Sequence, residues 1–297
     1  MKYCMIDVAI IGAGPAGLMT AIQLRRCGIA PLVLEGARLG GLLHNANLVE
    51  NYPGFPQGIT GPRLVKLFTA QARRLGVAVT FDEVIELDYN GKVFNLETRR
   101  DACQACLVVV ASGTKPITFP QGLVPRAAQE QVFYEVLPLL GVAGRRIAIV
   151  GAGDAACDYA LNLAKRNEVV ILNRSAEVKC LPLLWERVSA LPNVACRPRT
   201  AVTRIVRPPA GGLRIEADGP HGQTTLEADY LIGALGRLPR LDFLSASLRA
   251  KSAALEGRGV LYFVGDVKND IFRQTAIAVG DGLLAAMKIY RRLKESS

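Results

Sequence analysis

Two stretches of the chain have the residue types and spacing that let a main chain close on a pyrophosphate. Gly12-Ala13-Gly14-Pro15-Ala16-Gly17 follows the apolar run 8–11, and Gly151-Ala152-Gly153-Asp154-Ala155-Ala156 follows 147–150. In each, the first glycine permits a tight turn and the second lets the backbone approach the anion. The third small residue, Gly17 or Ala156, lets the next helix pack on the strand. That helix presents its N-terminus, where unpaired N–H groups and the macrodipole favour negative charge. One such turn is weak evidence, because glycine-rich turns after strands are common. Two copies in the same setting predict two dinucleotide sites.

The elements that hold these turns follow from the surrounding pattern. After the first, 16–26 is a helix ending near Gly28, and 31–34 is a second strand that ends in Glu35. An acid about 20 residues past such a turn takes the ribose hydroxyls. After the second, 155–165 is the helix and 169–172 the strand, but Asn173-Arg174 follows instead of an acid. Glu35 therefore suits a dinucleotide with a free 2′-hydroxyl, such as FAD. Arg174 with Lys179 suits a 2′-phosphate, hence NADPH, unless both are solvated surface cations and the nucleotide is NADH.

Further along, residues 64–75 have apolar positions at helical spacing and stop at Gly76, while 77–81, 84–87, 93–96 and 107–111 read as strands. Proline-bearing breaks at 116–125 and 238–241 flank the second nucleotide unit. Beyond them, 260–264 before Gly265-Asp266 and a helix over 275–293 complete the first unit. The expected architecture is α/β: two Rossmann-like, three-layer ββα dinucleotide-binding domains, with the NAD(P)H domain (116–241) inserted into a discontinuous FAD domain (1–115 and 242–297).

A chain of 297 residues is long enough for two cores. Half of it is hydrophobic, yet no run approaches the roughly 18 apolar residues of a membrane span. The start of the sequence has no leader pattern, so a cytoplasmic location is expected. A net charge of +10 favours an acidic partner as well as plain solubility, and no nucleic-acid-reading motif accompanies it. The seven cysteines are scattered and odd in number, unlike a secreted disulfide framework. Cys103-x-x-Cys106 has redox spacing but lies at the entrance to a strand. Residues three apart on an extended chain are about 10 Å apart and face opposite sides, beyond a disulfide's reach. With no second pair or adjacent histidine, zinc is not expected either. His44 and His221 are the only histidines, and neither lies in an acid–base pattern.

Taken together, the chain resembles the thioredoxin-reductase-like FAD/NAD(P)-dependent oxidoreductases, which have the class II pyridine nucleotide-disulfide oxidoreductase fold. The matching stretches are 7–17, Gly40-Gly41, Glu50-Asn51-Tyr52-Pro53-Gly54-Phe55-Pro56, Gly58-Ile59-Thr60-Gly61-Pro62, Ala111-Ser112-Gly113, Gly151-Ala152-Gly153-Asp154, Ala234-Leu235-Gly236-Arg237-Leu238-Pro239, Gly265-Asp266, Arg273-Gln274 and Gly280. The resemblance implies that Gly12, Gly14, Pro15, Ala16 and Glu35 hold the ADP half of FAD, with Gly41 and Leu43 along its path. It puts Asn51 by the isoalloxazine, Val84 by the adenine, Asp266 on the ribityl and phosphate side, and Arg273, Gln274 and Thr275 against the flavin. Ala111, Ser112, Gly113 and Gly265 also fall in the FAD set. For NAD(P)H it implies Gly151, Gly153, Asp154, Ala155, Arg174, Lys179 and Gly236.

The departures bear on function. Counting back from Gly151 puts the redox Cys-x-x-Cys of thioredoxin reductases on Tyr134-Glu135-Val136-Leu137, so Tyr134 and Leu137 stand in the thiol positions and Pro138 in place of the acid that follows. The Gly-Gly-Gln-Leu of the family reads Gly40-Gly41-Leu42-Leu43 here. Its paired arginines read Arg174-Ser175, with Lys179 beyond. No protein side chain is assigned as catalytic, because hydride transfer from nicotinamide to flavin is cofactor chemistry. The nearest functional analogy is the thioredoxin-reductase-type ferredoxin–NADP reductases, which also lack the dithiol. The leading expectation is an NAD(P)H oxidoreductase passing electrons to an acidic redox protein, ferredoxin-like or another iron–sulfur or flavin protein. The alternatives are a reductase or oxidase of a small disulfide, quinone or oxygen, and a non-catalytic FAD-binding module. The resemblance also implies a homodimer.

Overall fold

A computed structural model describes residues 5–295. The first four residues, on which the leader expectation partly rests, and Ser296 and Ser297 lie outside the described residues. The chain forms two compact units. One comprises the chain through His44, Val49–Lys115, and everything from Leu238 on; the other comprises Asn45–Leu48 and Pro116–Arg237. The return to the first unit thus comes after Arg237, a few residues before the expected 241, and the short segment Asn45–Leu48 groups with the second unit.

The first unit contains β1 (Met5–Ile11), α1 (Pro15–Arg26), β2 (Leu32–Leu34), α2 (Gly61–Arg74), β3 (Val79–Thr80), β4 (Val84–Tyr89), β5 (Phe94–Thr98), β6 (Ala102–Val110), α5 (Ala246–Gly257), β17 (Leu261–Phe263) and α6 (Thr275–Glu295). Its sheet runs β3-β2-β1-β6-β5-β4, with β17 also on β6. β1 is parallel to β2 and β6, Ile10 facing Val33 on one side and Val109 on the other. Val8–Ile11 and Leu107–Val110 are buried throughout. Unbroken apolar runs of this kind are what a parallel strand covered on both faces requires. α1 packs along α6 through small residues: a Cβ on Gly282 would lie 2.2 Å from the Ala16 carbonyl oxygen.

The second unit contains β8 (Val132–Phe133), β9 (Arg146–Val150), α3 (Asp154–Leu163), β10 (Glu168–Leu172), α4 (Pro182–Ser189), β11 (Val194–Arg197), β12 (Ala201–Val206), β13 (Leu213–Gly219), β14 (Gly222–Ala228) and β15 (Tyr230–Gly233). Short strands β7 (Thr114–Pro116) and β16 (Arg237–Pro239) lie in the crossovers. The parallel sheet β11-β10-β9-β15-β8 accompanies an antiparallel sheet β12-β13-β14. β9 divides its side chains between two cores with the two-residue period of a strand. Ile147 and Ile149 join Ala156 and Ala160 of α3, while Ala148 joins Ile215 and Leu226 of the antiparallel sheet. That sheet and helices α4 and α5 go beyond the sequence reading.

Candidate functional site

The first glycine turn is fixed by contacts that exclude any side chain at two of its three positions. Gly12 has φ +104°, its N–H donates to the Leu34 carbonyl at 2.7 Å, and a Cβ there would lie 2.4 Å from the Ala111 carbonyl oxygen. A Cβ on Gly17 would lie 1.9 Å from the Gly12 carbonyl oxygen. Gly14 differs: it has φ −72°, and a Cβ would meet nothing within 4 Å. It is the N-cap of α1 and offers no side-chain cap, and Pro15 follows at the first helical position. The N–H groups of Ala16 and Gly17 therefore have no partner within the helix. Gly41, with φ +51°, brings its backbone against this point, since its Cβ would lie 3.6 Å from the Gly14 Cα. Two bare backbones before an uncapped helix N-terminus form a cradle suited to a diphosphate.

Glu35 is locked beside that cradle. Its Oε2 accepts from the Ala13 N–H at 2.7 Å, and its Oε1 accepts from Ala37 N–H at 2.8 Å and Arg38 N–H at 3.2 Å. A carboxylate offers about four lone-pair sites, so acceptor capacity remains for a ribose hydroxyl. Glu83, the neighbour of buried Val84, packs on Gly36 beside this turn. At the other end, Asn51 Nδ2 donates to Gln274 Oε1 at 3.0 Å across a sequence separation of 223. The Gln274 carbonyl accepts from the Ala278 N–H, so Thr275 opens α6 with its first N–H groups unpaired within the helix. Gly265 (φ +75°) sets Asp266 next to the first turn of α1, for a Cβ on Gly265 would lie 2.8 Å from the Ala16 Cβ. Leu43 is buried, and His44 Nε2 donates to the Leu39 carbonyl at 2.9 Å. Ser112 Oγ donates to the Arg240 carbonyl at 2.7 Å, and Gly113 accepts from the Arg240 N–H. The residues expected around FAD all fall in the first unit, and the bare backbones of Gly14 and Gly41, the Glu35 carboxylate and the starts of α1 and α6 are groups that suit that cofactor.

Asp281 escaped the sequence reading. Its Oδ2 accepts from the Gly265 N–H at 3.0 Å and from Asn269 Nδ2 at 2.6 Å, pinning the Gly265-Asp266 turn from α6. Its one sequence signal is an acid beside Gly282, where a Cβ would lie 2.2 Å from the Ala16 carbonyl oxygen.

The second turn repeats the first. Gly151 has φ +118°, donates to the Leu172 carbonyl at 2.9 Å, and would place a Cβ 2.4 Å from the Ala234 carbonyl oxygen. Gly153 caps α3 without a side-chain hydrogen bond, and its Cβ would meet only the Lys179 carbonyl, 3.9 Å away. Asp154 starts the helix, Ala155 follows in the first turn, and Asp154 Oδ1 accepts from the Leu181 N–H at 2.8 Å. The Lys179 N–H donates to the Ala152 carbonyl at 2.9 Å, which holds Lys179 beside the turn. Arg174 and Lys179 are both exposed. Gly236 (φ +106°) closes on Ile117, whose N–H donates to its carbonyl at 2.9 Å.

Tyr134 is packed inward. Its ring atoms would lie 3.0 Å from a Cβ on Gly233, and its hydroxyl accepts from the Phe119 N–H at 3.2 Å. Glu135 pairs with Arg237 at 3.1 Å, and the Leu137 N–H donates to Asn45 Oδ1 at 3.1 Å. Cys103 and Cys106 both lie within β6, on extended chain. Another thiol pair emerges from the fold: buried Cys157 on α3 hydrogen-bonds Cys180, and burial first, then that bond, push the Cys157 thiol far above its ordinary range. A thiol so raised is a poor nucleophile. Among the described residues no cluster could hold a metal ion, and no helix is long and apolar enough to cross a membrane.

Asp158 on α3 is largely buried, which raises its carboxyl to about 6 against the lowering effect of the Asn47 and Leu48 N–H groups and Lys165. The unfolded value is near 3.9, so the folded state holds the proton more tightly. This group's contribution to stability is greatest below the unfolded value and is lost as pH rises toward 6, by on the order of 2–3 kcal/mol. Denaturant unfolding at pH 4.5 and 7.5 should therefore show the wild type losing stability relative to Asp158→Asn as pH rises. Parallel behaviour of the two proteins would contradict the assignment.

The family described as "Pyridine nucleotide-disulphide oxidoreductase" matches residues 6–282. NADPH-dependent thioredoxin reductase 3 of Arabidopsis thaliana is 27% identical over 98% of this chain, which spans only 59% of that relative's length. The thioredoxin reductase of Mycolicibacterium smegmatis is 28% identical over 97% of each chain. The crystal structure of T. acidophilum thioredoxin reductase superposes with a TM-score of 0.84 at 26% identity, covering 98% of this chain and 99% of that one. The chain belongs to the pyridine nucleotide-disulphide oxidoreductase family, as a thioredoxin-reductase-like, flavin-dependent NAD(P)H oxidoreductase with two Rossmann-like dinucleotide-binding domains.

Proposed function

We propose that this protein accepts reducing equivalents from NADPH in the second unit and delivers them from FAD in the first to an external acidic redox protein, ferredoxin-like or another iron–sulfur or flavin protein, without an active-site disulfide. The observation that carries this reading is Tyr134-Glu135-Val136-Leu137 at the position inferred for the family's redox pair. It holds no thiol, and its Tyr134 and Glu135 are committed to structural contacts. FAD, when bound, supplies the chemistry by taking two electrons and releasing them to the acceptor. The chain's part is positional. Gly14 and Gly41 admit the diphosphate, Glu35 takes ribose hydroxyls, and the Asn51–Gln274 pair with the start of α6 meets the ring, where a helix N-terminus favours negative charge. Gly153 and Lys179 play the corresponding part for NADPH.

A net charge of +10 favours docking of an acidic partner through electrostatic steering. For the expected homodimer, α6 offers exposed Ile277, Leu284 and Met287 as a candidate surface. The reading is tested by reducing the protein anaerobically with NADPH and following reoxidation by ferredoxin, thioredoxin and a low-molecular-weight disulfide, in the wild type and in a Cys103→Ser/Cys106→Ser variant. Ferredoxin should reoxidise both proteins rapidly and equally, and the disulfides slowly. Fast turnover with thioredoxin or the small disulfide, or its loss in the variant, would overturn the proposal.

A further inference from the structure

The ribose end of the second nucleotide turn is built differently from that of the first. In the first unit the residue after β2 is Glu35, its carboxylate facing the glycine turn. The corresponding residue after β10 is Asn173, which is only 5% exposed and spends its side chain on its own loop. Its Oδ1 accepts from the Ser175 N–H at 3.1 Å, and its Nδ2 donates to the Glu177 carbonyl at 2.9 Å. No acid is left at that position for a ribose diol.

The turn after β11 is laced onto this loop by three main-chain hydrogen bonds. Asn173 N–H donates to the Arg197 carbonyl at 3.0 Å, Arg199 N–H to the Ser175 carbonyl at 3.0 Å, and Thr200 N–H to the Asn173 carbonyl at 2.8 Å. Arg199 has φ +51°, a left-handed conformation that costs a residue with a Cβ roughly 1–2 kcal/mol. Glycine or asparagine would fit there with less strain, yet the position holds an arginine, kept in place by the Ser175 bond and by buried Thr200. Arg174, Lys179, Arg197 and Arg199 are all exposed, with Glu177 the one carboxylate in the 173–179 loop. Cationic side chains carried on two loops whose main chains are bonded together repel one another and are relieved by a dianion, and the planar guanidinium fork matches phosphate oxygens.

We propose that Arg199, delivered from the turn after the neighbouring strand, binds the adenosine 2′-phosphate together with Arg174 and is a specificity-determining residue for NADPH over NADH. This rests on the NADPH reading above and adds a residue outside the 173–179 stretch.

The test is titration calorimetry of the FAD-loaded protein with two probes, adenosine 2′,5′-bisphosphate and 5′-AMP. The variants are Arg199→Asn, which removes the charge with a residue that tolerates the left-handed turn, Arg199→Lys and Arg174→Asn. The wild type should prefer the bisphosphate. Arg199→Asn should weaken the bisphosphate about tenfold or more, as expected for a lost charge-assisted contact, while leaving 5′-AMP within about twofold. Arg199→Lys should recover part of the loss. A preference that survives in Arg199→Asn but falls in Arg174→Asn overturns the role of Arg199 and leaves the NADPH reading standing. Equal binding of both probes by the wild type overturns both.

Discussion

Gly14→Leu is expected to lower the apoprotein's unfolding free energy by no more than about 1 kcal/mol, the cost of a poorer N-cap, while the purified protein loses its flavin. Gly14 sits at φ −72°, which any residue adopts, and a Cβ there would meet nothing within 4 Å. An isobutyl group would fill the space a diphosphate must enter to reach the Ala16 and Gly17 N–H groups. The neighbouring glycines should behave oppositely. Gly12→Ala puts a Cβ 2.4 Å from a carbonyl oxygen at φ +104°, and Gly17→Ala puts one 1.9 Å from another. Both contacts are with backbone, so neither can be relieved by a side-chain shift, and each should cost on the order of 3 kcal/mol or more. Flavin content per protein and denaturant unfolding of the apoproteins separate the two classes. A Gly14→Leu protein with full flavin would remove the assignment of this turn.

Gly153→Leu should divide the two half-reactions. The protein should keep FAD and be reduced normally by dithionite, while its reduction by NADPH slows by on the order of 100-fold, about 3 kcal/mol of lost binding and orientation. The basis is the near-empty surroundings of a Gly153 Cβ, with the Lys179 carbonyl 3.9 Å away. Gly151→Ala, 2.4 Å from the Ala234 carbonyl oxygen at φ +118°, should instead destabilise the second unit itself. Anaerobic rapid-mixing of each variant with NADPH and with dithionite reads the difference. Unimpaired reduction of Gly153→Leu by NADPH would place the pyridine nucleotide elsewhere.

Both nucleotide turns were legible because a single short motif dictates their geometry. A positive φ at Gly12 and Gly151 and a close backbone contact at each leave no other residue possible. The extended spacing of Cys103 and Cys106 was legible for a similar reason, and β6 begins early enough to include both. The antiparallel sheet carries a usable signal in its own sequence. Leu213, Ile215 and Ala217 are buried in alternation with Arg214, Glu216 and Asp218, the period of a one-sided strand. Other features had no local signal. Asn51 meets Gln274 across 223 residues, so that contact was reachable only through resemblance. Arg199 adopts a conformation its own type disfavours, imposed by bonds to residues about 25 positions earlier in the chain. The Cys157–Cys180 neighbourhood exists only once α3 and the loop before α4 have packed.

The number of electrons the protein stores separates direct delivery from flavin from relay through a disulfide. An anaerobic titration of the FAD-loaded wild type with NADPH or dithionite, followed in the visible flavin band, should reach full reduction at two electrons per flavin. Uptake of four would reveal a disulfide in series with the ring, since a disulfide is itself a two-electron couple, and would contradict delivery of electrons straight from flavin to the external acceptor.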